Sequence, residues 1–551
     1  MFAFISMIAK LIGALYRIPL TNVMGAEGIG LYQMVFPLYT VLLTATSGGL
    51  TAAIAKVTAA YNATGDERSS FRTLKVTLTA VIAVTFIAAS ALVLFRGKIA
   101  FVQGNRLAAV SYLGIAPSIV LVGIISCFRG YYQGSQNMLP SALSQLTEQT
   151  VKLVAGLALC KALLPYGVQY AVLGALTGVT VSELAALLGL LVQYFFTRRA
   201  VKARTVIDIA APVRSDAEVS AELAPAMPVR HIKRASLIKN VCRVALPVTL
   251  GALVMPLTQV IDSILVINIL ARATDTAYAT SLYGVLNGPV NSLINMPVVV
   301  TTAVSVALLP KISAASATGA EVSRTVSVAL KYSLLIAFPA AGALAVFSRD
   351  ILSLLYSRSV DPALIGVGSS LLRLGCVTVV YTAFIQVATA VLQGCDRPRV
   401  PAVNLVIGAA VKVLFTVLLL GLTGIYGAVA ASALCYGVTA ALDVAALVKR
   451  TPLRAPFYRT AVAPALASAA ALAAAYGIFK AVETVAAGIW PLVAAAAAAI
   501  VLYPAALAVS GAFGKDELSA LPVVGGFFKA SGKKNGRDKE KFRKAADKKV
   551  K

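Results

Sequence analysis

Apolar residues run through this chain in long stretches, broken by short connections that hold most of the charged residues. A helix that crosses a membrane needs about 20 consecutive, mostly apolar residues. Fourteen stretches reach that length: roughly 3–24, 31–55, 74–95, 107–128, 140–164, 169–196, 244–270, 282–309, 326–348, 366–392, 400–420, 424–447, 458–479 and 487–510. The pattern predicts an all-α integral membrane protein of about 14 transmembrane helices. Residues 1–24 read as a first span and not as a signal peptide, because the first cation, Lys10, lies inside the apolar run and no A-x-A site follows. The Ala-rich runs 461–475 and 493–499 carry little bulk.

The chain also repeats itself. Gln133–Lys152 reads QGSQNMLPSALSQLTEQTVK, and about 260 residues later Gln393–Lys412 reads QGCDRPRVPAVNLVIGAAVK. Both pass from a Gln-Gly turn through a Pro helix start to a Val-Lys pair deep in an apolar segment. LYQMVFPLY (Leu31–Tyr39) has a weaker counterpart in LYGVLNGPV (Leu282–Val290). Parallel repeats with a site at their interface are a transporter architecture. The expected organisation is a six-helix lobe over 1–196, a basic linker over 197–240, a second six-helix lobe over 241–450, two further helices over 451–511, and a basic disordered tail over 512–551.

Composition agrees with the membrane reading. Apolar residues make up 59% of the 551 and charged ones 13%, against about 25% charged in soluble proteins. The formal net charge of +27 is not read as a nucleic-acid footprint. Threading fourteen spans from an inner N-terminus leaves 36 Lys and Arg in inner segments and inner span ends, eight in outer connections and outer span ends, and five deeper within spans. That asymmetry follows the positive-inside rule. Both termini are expected in the cytoplasm of a bacterium, with the protein in its plasma membrane. Only the 96–106 connection runs against the rule. The basic tail favours the anionic lipids of the inner leaflet.

Several chemistries drop out. The six cysteines are scattered without a C-x-x-C, and His231 is the one histidine, in the basic linker. No metal site and no cofactor are expected. No G-x-x-x-x-G-K-[ST] phosphate loop is present. No outer connection is long enough for a catalytic domain, so an enzyme is not expected. Energy for transport would come from an ion gradient (Na⁺ or H⁺), the membrane potential or a downhill substrate.

The opening KLIGALYRIPLTNVMGAEGIGLYQMVFPLY (Lys10–Tyr39) resembles the start of polysaccharide transporters of the stage V sporulation protein B type. SGGLTAAIAKV (Ser47–Val57), PLTQVIDSILV (Pro256–Val266) and VLQGCDRPRVPAVN (Val391–Asn404) are similar to that group as well. It belongs to the multidrug/oligosaccharidyl-lipid/polysaccharide (MOP) flippase superfamily, which includes the MurJ-type lipid II flippases. The resemblance implies two six-helix lobes plus two extra helices around a V-shaped cavity. It implies alternating access for an undecaprenyl-linked sugar.

The head of such a lipid-linked sugar diphosphate carries two or more negative charges and many hydroxyls, which hydrocarbon would leave without partners. A carrier needs a wet, cationic, polar groove and hinges. Ionisable groups inside spans are costly and mark candidate sites. Arg17 and Lys10 lie seven residues apart on one face of the first span. Arg17 can grip a phosphate with two hydrogen bonds, and Lys10 as a point charge; alternatively Lys10 snorkels to the inner interface. The resemblance supports cations on this helix, but MurJ-type flippases also use arginines on the second and eighth helices, and here those spans hold none. The eighth offers Asn287, Asn291 and Asn295, four apart, as a cavity stripe or as interhelical glue. Glu148 and Lys152 are placed to pair on one helix, whereas Lys412, the repeat partner of Lys152, has no acid on its own helix. Asp262 either pairs with Arg373 or binds an ion. Glu183 and Asp443 share a repeat position, with Asp443 expected near the inner interface and Glu183 deeper, beside Arg129 or Lys152. Gly48, Gly49, Pro37 and Pro256 are candidate hinges.

The expectation is a flippase for an undecaprenyl-linked oligosaccharide, with membrane lipids as further partners. The alternatives are a MATE-type cation-coupled multidrug exporter, which would want buried carboxylates in its cavity, and a non-transporting scaffold in envelope or spore assembly.

Overall fold

A computed structural model describes residues 2–64, 67–210, 234–317, 323–395, 397–449, 458–486 and 488–510. All regular structure among the described residues is helical. The first helices are α1 (Phe2–Leu15), α2 (Arg17–Ser47), α3 (Leu50–Ala63), α4 (Glu67–Val102), α5 (Ala108–Gly134), α6 (Leu139–Leu163) and α7 (Val168–Ala210). There follow α8 (Arg234–Leu270), α9 (Thr276–Val285), α10 (Asn291–Ala317), α11 (Ser323–Val346), α12 (Ser348–Tyr356) and α13 (Pro362–Gly375). The last are α14 (Val377–Gly394), α15 (Arg399–Thr423), α16 (Ile425–Val448), α17 (Ala463–Glu483) and α18 (Trp490–Val509).

Helices underlie all fourteen apolar segments. Eleven stretches among the described residues are long and apolar enough to cross a membrane. The first, Leu11–Ala63, holds 53 residues. As one rod it would measure about 80 Å at 1.5 Å per residue, against a hydrocarbon core of about 30 Å. It breaks at Gly25, whose φ of +70° lies in the left-handed region that glycine enters without a steric cost. The start of α2 therefore completes the pass begun by α1, and the rest of α2 with α3 makes the next.

Helices α1–α7 pack mainly on one another, with α5 touching α2, α3, α4 and α7, and α6 lying along α7. Helices α10–α16 do the same, with α14 against α10, α11 and α16, and α15 along α16, while α8 and α9 sit at the junction of the two groups. The last two helices pair, and α17 leans on α11. Between the groups, α2 touches α8, α9 and α12, α3 and α4 touch α8, and α1 touches α10.

The buried cores show how the groups meet. One large cluster spans both, from Tyr16, Leu20 and Met34 through Tyr112 to Ile267, Tyr283 and Leu371. At the opposite ends of the helices the core splits. Ile54, Leu74, Phe128 and Leu190 form a cluster in the first group, with Val241 of α8 attached. Ile312, Leu330, Val387 and Leu447 form a separate one in the second. Many large apolar side chains face outward, among them Phe86, Ile87 and Leu94, as lipid contact requires.

The repeat is structural. Gln133–Gly134 closes α5 and Pro140 opens α6, while Gln393–Gly394 closes α14 and Pro401 sits in the first turn of α15. Lys152 and Lys412 thus fall in the middle of corresponding helices. Residues 211–233 of the expected linker, the expected tail and the side chain of Lys10 lie outside the described residues.

Candidate functional site

A cavity of about 260 Å³ opens within the second group, lined by Gln259 and Asp262 of α8, Asn291 and Asn295 of α10, Thr378 and Thr382 of α14, Lys412 of α15 and Tyr436 of α16. Its charged feature is an ion pair: the Lys412 ammonium donates to Asp262 Oδ2. Both side chains are largely buried, 12% and 17% exposed. The expected pairing of Asp262 with Arg373 does not occur. Arg373 donates from Nε to Ser348 Oγ at 2.8 Å and is exposed. Lys412 has no acid on its own helix because its partner sits 150 residues earlier.

The asparagine stripe runs along the same cavity. Residues Leu286–Val290 form a wide π turn around Pro289, which has no N–H to give. Asn291 Nδ2 donates to Asn287 Oδ1 at 2.9 Å, Asn295 Nδ2 to the Asn291 carbonyl at 2.7 Å, and Asn287 Nδ2 to the Tyr283 carbonyl at 3.3 Å. All three side chains also line the cavity.

The first group holds a second polar cluster. Glu148 does not pair with Lys152. Its Oε2 accepts from Arg129 Nη2 at 2.9 Å, its Oε1 from Gln149 Nε2 at 2.8 Å, and Arg129 Nε donates to Ser144 Oγ at 2.8 Å. Arg129 wins because α5 continues to Gly134 and carries it beside α6. Lys152 is left without a hydrogen bond or ion pair among the described residues, within electrostatic reach of Glu148, Glu183 and Arg17. Arg17 is likewise unpaired among the described residues. It is partly buried and within reach of the Tyr32 and Tyr356 hydroxyls, from α2 and α12. Glu183 is 4% exposed and pairs with neither Arg129 nor Lys152; its Oε2 has no partner. Asp443, five residues from the end of α16, is fully buried and accepts from Asn404 Nδ2 at 2.7 Å.

The two groups are laced together at the end that carries the 103–107, 271–275 and 357–361 turns. Gln103 Nε2 donates to the Met34 carbonyl at 2.9 Å and to Ser263 Oγ at 3.3 Å, and Gln103 Oε1 accepts from the Tyr112 hydroxyl. Asn105 Nδ2 donates to Thr280 Oγ1 at 3.0 Å, and Asn268 Nδ2 to the Val102 carbonyl at 2.9 Å. Asn22 Nδ2 reaches the Leu355 carbonyl at 2.9 Å, and Ser359 Oγ donates to Asn22 Oδ1 at 2.7 Å. Sequence reasoning missed this lacing, since single amides in short connections give no spacing signal. At the other end the contact is slimmer. Gly48 and Gly49 separate α2 from α3, and Gly49 lies so close to α8 that a Cβ there would sit 2.2 Å from the Ala245 carbonyl. Helices α2 and α8 run on through Pro37 and Pro256.

Residues 2–316 match the family described as Polysaccharide biosynthesis protein. The chain belongs to this family. It is 28% identical to stage V sporulation protein B of Bacillus subtilis (strain 168) over 534 residues, covering 94% of this chain and 96% of that protein. It is 25% identical to the lipid II flippase MurJ of the same organism, covering 78% of each. Among solved structures, a lipid II flippase MurJ in an inward closed conformation superposes with a TM-score of 0.68 at 12% identity, covering 92% of this chain and 98% of that one. An inward-facing multidrug resistance MATE family transporter of the MOP superfamily gives 0.58 at 16% identity, covering 80% and 94%. The fold is that of these solved transporters, and the eleven long apolar helices fit a multi-pass membrane protein. The named relatives with an assigned activity are flippases and transporters, not enzymes.

Proposed function

We propose that this protein is a flippase that carries the anionic, sugar-bearing head of an undecaprenyl-linked oligosaccharide across the cytoplasmic membrane. The two six-helix lobes are residues 1–196 and 241–450. They rock about the connections between α2, α8 and α9, with 451–511 as an added helix pair, 197–240 as the linker and 512–551 as the tail. The observation that carries this reading is the state of Arg17 and Lys152. Both lie largely out of solvent, Lys152 lies within the field of Arg17, and neither makes an ion pair or side-chain hydrogen bond among the described residues. Two buried cations whose donors are free offer a seat for an anion. Asp262, the carboxylate that lines the cavity, is occupied by Lys412, and Glu148 by Arg129, which leaves no free carboxylate in that cavity for an organic cation and weighs against a drug exporter.

The lacing and the split core support alternating access. With the N-terminus inside, as the cation asymmetry favours, the laced end is the outer one. The separate cores then flank a cleft that opens inward. The asparagine stripe offers amides to sugar hydroxyls. The test is a flipping assay in proteoliposomes with lipid II, a teichoic acid precursor and a capsular precursor, each reported by an enzyme or quencher added outside. Faster appearance of one class outside is the expected result. Equal, slow rates for all three and for empty vesicles would rule the reading out.

A further inference from the structure

Glu183 has no role in the geometry above, yet it is a carboxyl group 4% exposed whose Oε2 meets no donor. The charged and titratable groups facing it come from three elements. Glu148 and Lys152 belong to α6, Arg129 to α5, and Tyr39 to α2. Arg129 is committed to Glu148 by the 2.9 Å pair, so those two charges cancel. What remains is Lys152, within electrostatic reach of both Glu183 and Arg17. When Lys152 holds no anion, its charge balances Glu183. When it turns to an anionic head, Glu183 is stranded in the protein interior beside a second negative charge, and a stranded buried charge is expensive.

We propose that Glu183 is a proton-binding site linked to substrate: the carboxylate takes one proton from water as the lipid-linked anion engages Lys152 and Arg17, and returns it to water when the anion leaves. This rests on the flippase reading. By linkage, a proton taken up on binding makes binding tighter as pH falls. For one linked proton the limit is about tenfold in Kd per pH unit.

The test uses the full-length protein in detergent and farnesyl diphospho-N-acetylglucosamine as the probe. Its diphosphate is esterified at both ends, so each phosphorus keeps a single, strongly acidic oxygen and the probe's own charge stays constant over the pH range. For the wild type, Kd should fall several-fold to about tenfold for each unit that pH is lowered. For Glu183→Gln, Kd should be flat with pH and as tight as the wild type at its most acidic point. Glu183→Met, with no titratable group, repeats the measurement if the Gln variant misassembles. Independently of any probe, an infrared pH titration should show a protonated-carboxyl carbonyl band in the wild type that both variants lack. Identical pH slopes in wild type and variants, or the absence of that band, overturns the proposal. If the probe binds none of the proteins at any pH, the flippase reading falls and the infrared titration alone decides the proton site.

Discussion

Consider removing Lys412 by the change Lys412→Met. Asp262 would then stay in place with its side chain 17% exposed and its cation gone. Two unit charges at about 4 Å attract by about 4 kcal/mol at an effective dielectric near 20. Desolvation offsets most of that attraction, so the intact pair adds little net stability. Breaking it by removing one partner costs about 3–5 kcal/mol, because a charge is left buried alone. In a chain of this length one kcal/mol moves the thermal midpoint by about 1 °C, scaling from shorter domains. Lys412→Met should therefore lower the midpoint by about 3–5 °C. Adding Asp262→Asn should recover most of the loss, to within about 1–2 °C of the wild type. The assay is thermal unfolding in detergent, followed by dye labelling of buried cysteines such as Cys127 and Cys435. A double variant whose loss equals the sum of the two singles would refute the pairing. So would a Lys412→Met protein as stable as the wild type.

Three other outcomes follow from the same geometry. Arg129→Met should be destabilised by about 3–5 kcal/mol through the stranded Glu148, and Glu148→Gln in the same chain should restore it, as read by yield and thermal midpoint. Asn105→Ala removes the Asn105–Thr280 bond of the lacing, worth about 1 kcal/mol, along with the local bond from Leu107 N–H, and should shift the lobes several-fold towards a state open at the laced end, seen as a longer distance between spin labels on Arg106 and Arg272. Asn291→Leu should keep expression but slow flipping of sugar-rich heads, measured beside a bare polyprenyl diphosphate that is less affected.

Much of the fold could be read from the chain because lipid imposes a coarse rule: every pass needs a long apolar run. The repeat was legible for the same reason, since the Gln-Gly turn and the Pro start are local signals that punctuate helices. The charge partners were not. Glu148 and Lys152 have good spacing on one helix, but spacing says nothing of a rival on a neighbouring helix, and Arg129 is that rival. Placing Arg129 in a loop hid it, because α5 runs six residues past the expected end of its span, to Gly134. Asp262 chose Lys412 over Arg373 through the packing of α8 against α15, a contact across 150 residues. The bond between Asp443 of α16 and Asn404 of α15 joins two helices and left no spacing signal. The asparagine stripe was legible as a pattern, while its place beside an ion pair was not.

The most direct measurement compares flipping rates of a lipid-linked sugar diphosphate in proteoliposomes holding wild type, Arg17→Ala, Lys152→Ala and the double variant at equal, verified incorporation. Each lost contact to the diphosphate is worth about 1.5–3 kcal/mol. The single variants should slow about tenfold or more, the double should approach empty vesicles, and Arg17→Lys should recover part of the rate. A double variant that flips at the wild-type rate would contradict a cationic seat for the anionic head between the lobes.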